Sequence, residues 1–220
     1  MPKPGQPPER PLSGHSPRLD DEDDDGHDDE HGKKGKRGGR MEERLLDART
    51  LIIADEVSDA LYRRIAMMLT VLERKDRKAP ITAFINSPGG SADSGFAIFD
   101  LFRFSPCPIT TVANGVVASA AVLIYLGAPQ GRRVSLPNAR FLLHQPSTAT
   151  RGQASDIDIT AREISKLRRR YNEVVAEATG KGIDAVEKDS DRDFWLSAQE
   201  AVDYKLVNRI LTSRAQLEEM

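Results

Sequence analysis

Between Ile109 and Pro129 the chain carries no charged residue. On length alone such a run can cross a bilayer. Asn114-Gly115, a strong turn pair, interrupts it near its start, and Ser105-Pro106-Cys107-Pro108 precedes it. The run therefore reads as a buried strand over Ile109–Ala113, a turn, and a buried helix over Ala118–Leu126, not a membrane span. A chain of 220 residues is long enough to build a core around such a unit.

The flanking sequence supplies the layers. Thr50–Ala54 is a short apolar strand. Ser58 then caps a helix whose Leu61, Ile65, Met68, Leu69 and Leu72 recur at helical spacing. Ile81–Asn86 is a strand closed by Ser87-Pro88-Gly89-Gly90, and a helix runs from about Ser91 to Phe104. Arg133–Leu136 and Arg140–His144 are short strands, and Gln153–Thr179 is a long amphipathic helix. Ser197–Tyr204 is a short helix and Leu206–Leu211 a last strand. Strands alternating with helices predict an α/β fold with a largely parallel sheet and crossover helices.

Composition limits the functions on offer. Residues 1–40 hold six of the 13 prolines and seven of the 16 glycines, with almost no large apolar side chains. A segment of this kind cannot offset its chain entropy by burial, so 1–40 is expected to be a disordered acidic and basic tail and 41–220 the folded domain. The tail has no apolar signal region. The domain carries 24 Lys/Arg and 24 Asp/Glu, a neutral balance that offers no general attraction for nucleic acid. The single cysteine, Cys107, forbids an intrachain disulfide, which fits a reducing, cytoplasmic setting. Asp21, Asp23, Asp25 and Gly26 open like a calcium loop, but the closing Glu is replaced by Gly32, so an EF-hand is rejected. His27 and His31 offer at most loose divalent-metal binding, and no resident cofactor or metal is expected.

Four features carry possible chemistry. Ser119 lies at a strand-to-helix junction among Gly115, Ala118, Ala120 and Ala121. It is either a helix cap or a nucleophile beside the Ala120 N–H. Gly89-Gly90 follow a strand, where ligands of α/β sheets bind, and the Gly90 N–H is a second candidate oxyanion donor, or part of a plain turn. His144 is the only histidine outside the tail and ends an apolar strand, as a base or as a structural imidazole. Asp189, Asp191 and Asp193 precede Phe194-Trp195, and spacing alone does not say which one orients a histidine.

Taken jointly, Phe84-Ile-Asn-Ser-Pro-Gly-Gly90, Gly115-Val-Val-Ala-Ser119, Leu136-Pro-Asn138, His144-Gln-Pro146, Arg151-Gly-Gln-Ala154 and Asp191-Arg-Asp193 resemble the proteolytic subunit of Clp protease (ClpP) over residues 42–212. The resemblance implies the ClpP/crotonase fold with a long handle helix. It also implies serine endopeptidase activity, with Ser119 as nucleophile, His144 as base and Asp193 as the orienting carboxylate. Oxyanion donors are implied at the backbone N–H groups of Gly90 and Ala120. Heptameric or double-heptameric rings, unfolded polypeptide substrates and an ATP-dependent AAA+ unfoldase as partner follow from the same resemblance. No P-loop occurs in this chain, so any ATPase is a separate protein.

The departures are local. Residues 1–40 do not match the family's axial loops, and Met41-Glu-Glu-Arg-Leu-Leu-Asp47 alters the motif before the first strand. Phe84, Phe104 and Leu211 keep apolar character where the family receives the unfoldase, whereas Thr70 is polar there. Thr148 and Ala149 stand where the family has a glycine pair, which predicts altered, weaker ring assembly. The alternatives are a noncatalytic or mixed-ring subunit, a crotonase-like acyl-CoA enzyme, and a Ser–Lys peptidase.

Overall fold

The structure is a computed structural model that describes residues 41–146 and 151–220. The expectations for the 1–40 tail, His27 and His31, and for Thr148 and Ala149, lie outside the described residues. Residues 41–47 form a helix, α1, where only an altered motif was expected. There follow β1 (Thr50–Ile53), α2 (Asp59–Lys75), β2 (Ile81–Ser87), α3 (Ala92–Phe104), β3 (Ile109–Ala118) and α4 (Ala120–Leu126). Then come β4 (Arg133–Ser135), β5 (Arg140–Leu143), α5 (Ala154–Thr179), α6 (Ile183–Asp189), β6 (Phe194–Ser197), α7 (Ala198–Asp203), β7 (Arg209–Ile210) and α8 (Ala215–Glu218).

The helices start where side chains can serve their free N–H groups. Ser58 accepts from Leu61 N to open α2, which buries Leu61, Ile65, Leu69 and Leu72 on one stripe. Ser91 accepts from Ser94 N to open α3. Ser197 and Glu200 form a reciprocal capping box on α7. By contrast, every residue of α4 is buried, which accounts for the uncharged run without a membrane. Among the described residues no helix is long and apolar enough to cross one.

Strands run in the order β1-β2-β3-β4-β7, all parallel, giving the expected α/β architecture. One expectation fails at its centre. Asn114-Gly115 does not end the strand; β3 continues to Ala118 through a bulge. Ile85 pairs with Ala113 but Ser87 pairs with Val117, so β3 spends two extra residues. Gly115 has φ +106°, and a Cβ there would lie 2.5 Å from Asn86 Oδ1, the atom that accepts from Val116 N at 3.0 Å. A turn signal became a bulge because the side chain of Asn86 replaces the lost ladder bond.

The bulge re-aims the strand. Its first half pairs with β4, and its second half, Val116–Ala118, pairs with β5. On the far side of β5 lies β6, antiparallel. Neither α6 nor β6 was expected, and the last strand is only Arg209–Ile210, since Leu206 and Val207 fold back to Ala201 O. In α5 only Tyr171, Asn172, Val175 and Thr179 are buried. The whole helix is about 39 Å long, and its N-terminal half is largely exposed among the described residues. Its C-terminal end is anchored by Arg133, a buried cation whose Nη2 donates to Ala178 O at 3.0 Å.

Candidate active site

Sheet topology brings the three candidate side chains to one edge. β3 and β5 run parallel with Ala118 opposite Leu142, so Ser119 and His144 leave neighbouring strands at the same end. β6 runs the other way with Phe194 opposite Leu143. Extending that register by one residue sets Asp193 against His144. The His144 Nδ1–Asp193 Oδ1 distance is 3.1 Å. A carboxylate only accepts, so Nδ1 carries a proton, and in the neutral ring Nε2 keeps its lone pair.

Ser119 is not a capping serine. Its side chain makes no cap bond, and α4 begins at Ala120, later than the sequence pattern predicts. Its backbone sits at φ +55°, ψ −124°, a region that residues with a Cβ rarely adopt. Two backbone bonds hold it there: Ser119 N donates to Leu142 O at 2.9 Å, and Val122 N donates to Ser119 O at 3.0 Å. A serine on a strained strand-to-helix turn presents its hydroxyl outward, as in a nucleophile elbow. Among the described residues that hydroxyl has no hydrogen-bond partner, His144 included.

The Gly89-Gly90 turn packs directly against this elbow. A Cβ on Gly89 (φ +93°) would lie 2.6 Å from Ala118 O, 2.7 Å from Ser119 Cβ and 3.1 Å from Ala120 N. The turn is fixed from outside by Val57, whose N–H donates to Gly89 O and whose carbonyl accepts from Ser91 N, both at 2.8 Å. Neither the Gly90 nor the Ala120 N–H donates to another described residue. Two uncommitted donors beside one serine make a site able to stabilise an oxyanion.

The competing carboxylates are occupied. Asp189 accepts from the Tyr204 hydroxyl at 2.9 Å, and Asp191 faces Arg168 at 3.4 Å. Burial and the neighbouring Asp189 carboxylate push the Tyr204 phenol well above its ordinary range, keeping it a donor. Among the described residues Arg192 reaches only Asp191 O, at 3.3 Å.

Several supports escaped the sequence pattern. Gln145 N donates to Ser190 O at 3.0 Å, and its side-chain Nε2 donates to Asp191 O at 2.9 Å. Ser190 Oγ donates to Asn172 Oδ1 at 3.0 Å in a fully buried pair. The signal available was Asn172, a polar residue inside the buried stripe of α5. Cys107 is a buried thiol bonded to Asp76 O and to Arg49, away from this edge. Among the described residues no cluster of His, Cys, Asp and Glu could hold a metal ion.

Phe84 and Leu211 line a separate apolar cleft of about 330 Å³ with Val112, Leu136 and Leu217. Phe104, 87% exposed at the end of α3, does not line it, and Thr70 lies in another hollow with Glu73, Arg74 and Arg77.

Comparison with known proteins agrees with this fold. The family described as Clp protease matches residues 33–214. The ATP-dependent Clp protease proteolytic subunit 3 of Rhizobium etli is 46% identical over 180 residues, spanning 82% of this chain and 92% of its own length. The proteolytic subunit 2 of Treponema denticola is 41% identical over 179 residues, spanning 81% and 90%. A mutant ClpP1 from Listeria monocytogenes superposes with a TM-score of 0.75 at 41% identity, covering 80% of this chain and 99% of that one. With most of its length matched by sequence and by fold, the chain belongs to the Clp protease family, as a homologue of its proteolytic subunits.

Proposed function

We propose that the chain is an active serine endopeptidase, with Ser119 as nucleophile, His144 as general base and Asp193 as its orienting carboxylate. The observation that carries this is the Ser119 backbone, strained at φ +55° with an uncapped hydroxyl and flanked by the unengaged N–H groups of Gly90 and Ala120. His144 Nε2 takes the Ser119 proton as Oγ bonds to the scissile carbonyl carbon, and the two N–H groups receive the oxyanion. His144 then protonates the departing amine, leaving an acyl-enzyme. Water, deprotonated by the same nitrogen, adds to the ester and releases the acid and Ser119.

The proposal extends to the surroundings. Residues 41–220 form the peptidase domain and 1–40 a tail. The chain works in the cytoplasm as a subunit of heptameric or double-heptameric rings on unfolded polypeptides. The apolar cleft at Phe84 and Leu211 receives an ATP-dependent unfoldase. The sparsely covered length of α5, with Ile157 and Ile159 exposed, supports a helix that finds its partner in another subunit.

The test is treatment of the purified protein with a fluorophosphonate and measurement of intact mass. One adduct is expected, absent in Ser119→Ala and His144→Ala. No adduct on an intact ring would overturn the proposal. It would favour a noncatalytic ring subunit, to which the open Ser119–His144 contact and the 65% exposed Asp193 carboxylate also point.

A further inference from the structure

The β5–β6 ribbon has one buried face and one partly exposed face, on which Leu142 is itself buried. Phe141, Leu143 and Leu196 are buried on the first. Residues two apart share a face, so Arg140, Leu142 and His144 line the second, with Ser197, Trp195 and Asp193 opposite them in register. The catalytic pair His144–Asp193 is therefore the end rung of a ladder. The next rung is Leu142–Trp195, and the one after it is Arg140–Ser197. Each rung is roughly 7 Å from the last, close to the repeat of alternate residues in an extended peptide.

Two side chains on this ladder are exposed and stack on each other. Trp195 is 45% exposed. Arg140 is exposed, and its guanidinium carbon lies 4.8 Å from the centre of the Trp195 ring. That stacking fixes the direction of the cation while leaving the donors at its rim unspent. Among the described residues Arg140 makes no ion pair and no side-chain hydrogen bond. Glu200, the acid nearest Ser197 in sequence, is committed to the Ser197 N–H and hydroxyl at 2.8 and 2.7 Å. Its carboxyl is held below the usual range by the hydrogen bonds from Ser197. Oriented, uncompensated guanidinium groups select carboxylates, which they engage through paired N–H donors.

We infer that Arg140 and Trp195 form a substrate subsite that selects an acidic side chain a few residues from the scissile bond. The Trp195 ring forms its apolar floor, and Arg140 its cationic end. The subsite rests on the proposed peptidase only for its meaning. Its binding can be measured without catalysis, because Trp195 is the single tryptophan of the chain and reports directly on the site.

The full-length Ser119→Ala protein is titrated with a set of short extended peptides that differ only in carrying Asp or Asn, placed in turn at each of the four positions on either side of a central Leu. Tryptophan emission is followed. At one of these positions the Asp peptide is expected to shift the emission and bind about tenfold more tightly than its Asn partner. The advantage is expected to vanish in Arg140→Gln and to shrink as salt is raised. Equal binding of Asp and Asn peptides at every position would overturn the subsite, as would an Asp advantage untouched by Arg140→Gln. The fluorophosphonate adduct separates the two proposals. An adduct with no acid preference removes the subsite and keeps the peptidase. Acid-dependent binding with no adduct on an intact ring keeps the subsite and removes the peptidase.

Discussion

Ser119 and Asp193 lie at the same sheet edge, yet the two are built from different materials. The serine arm is backbone in the core. Ala118, Ala120 and Ala121 are buried, Leu142 O and Val122 N hold the Ser119 peptide units, and a glycine is required where the next turn touches it. The aspartate arm is a short surface loop after α6, and side chains tether it: Gln145 to Asp191 O, Ser190 to Asn172, Arg168 to Asp191. Backbone geometry inside a packed core has little freedom. A loop hung from a few side chains changes with whatever packs beside it. The Ser119 elbow and the N–H groups of Gly90 and Ala120 are thus preset by packed backbone, whereas the position of the His144–Asp193 pair depends on a few side-chain bonds.

The largest expected effect isolates the aspartate arm. Asp193→Asn should lower the rate of fluorophosphonate acylation by about 10³–10⁴-fold, because the amide no longer holds the Nδ1–H tautomer of His144. Melting temperature should stay within about 1 °C, since the carboxylate is exposed. A large loss of stability would show that this arm belongs to the core after all.

Gly89→Ala probes the other arm and should fail in both respects. The added Cβ has no room between Ala118 O and Ser119 Cβ, and φ +93° suits only glycine. Displacing the turn moves the Gly90 N–H, so acylation should fall by about 10²–10³-fold. The melting temperature should fall with it, unlike in Asp193→Asn. Normal melting with normal acylation would break the contrast between a core-built and a surface-built arm.

How much of this was legible in sequence follows the same division. Periodicity located α2, α3 and α5, because each carries an apolar stripe of helical period. The Ser119 junction stood out through its run of small residues. The bulge in β3 was not legible. Asn114-Gly115 has the composition of a turn, and only the contact with Asn86, distant in sequence, converts it into a strand that continues. α6 and β6 were missed because Ile183–Asp189 is a mostly polar helix and Phe194–Ser197 a strand of four residues. Spacing left Asp189, Asp191 and Asp193 equivalent. What separates them is register with β5 and the partners Tyr204 and Arg168, facts of tertiary structure that single-residue patterns do not hold.

Asn172→Ala has an intermediate effect and refines the picture of the tether. It leaves the buried Ser190 hydroxyl without its acceptor, a cost of about 1–3 kcal/mol in unfolding free energy by denaturant titration. Because Ser190 O also anchors Gln145 N beside His144, acylation should slow by about tenfold with substrate KM unchanged. Asn172→Asp keeps an acceptor at Oδ1 and should recover part of the rate. Equal losses in both variants would mean that packing of α5, not the Ser190 bond, sets the loop.

The smallest effect tests whether α5 also grips the serine arm. Tyr171 is buried, and its hydroxyl donates to Ser119 O across 3.5 Å, a long contact for an O–H donor. Ser119 O already accepts from Val122 N at 3.0 Å, so removing the phenol oxygen orphans no acceptor. Tyr171→Phe keeps the ring that fills the core and deletes only this bond. Acylation should fall by less than about threefold, the scale of one weak neutral hydrogen bond. A loss above about tenfold, in a protein that melts normally, would mean that this hydroxyl holds the strained elbow in place. Both arms would then answer to the same helix, and a movement of α5 would reach the nucleophile as directly as it reaches the base.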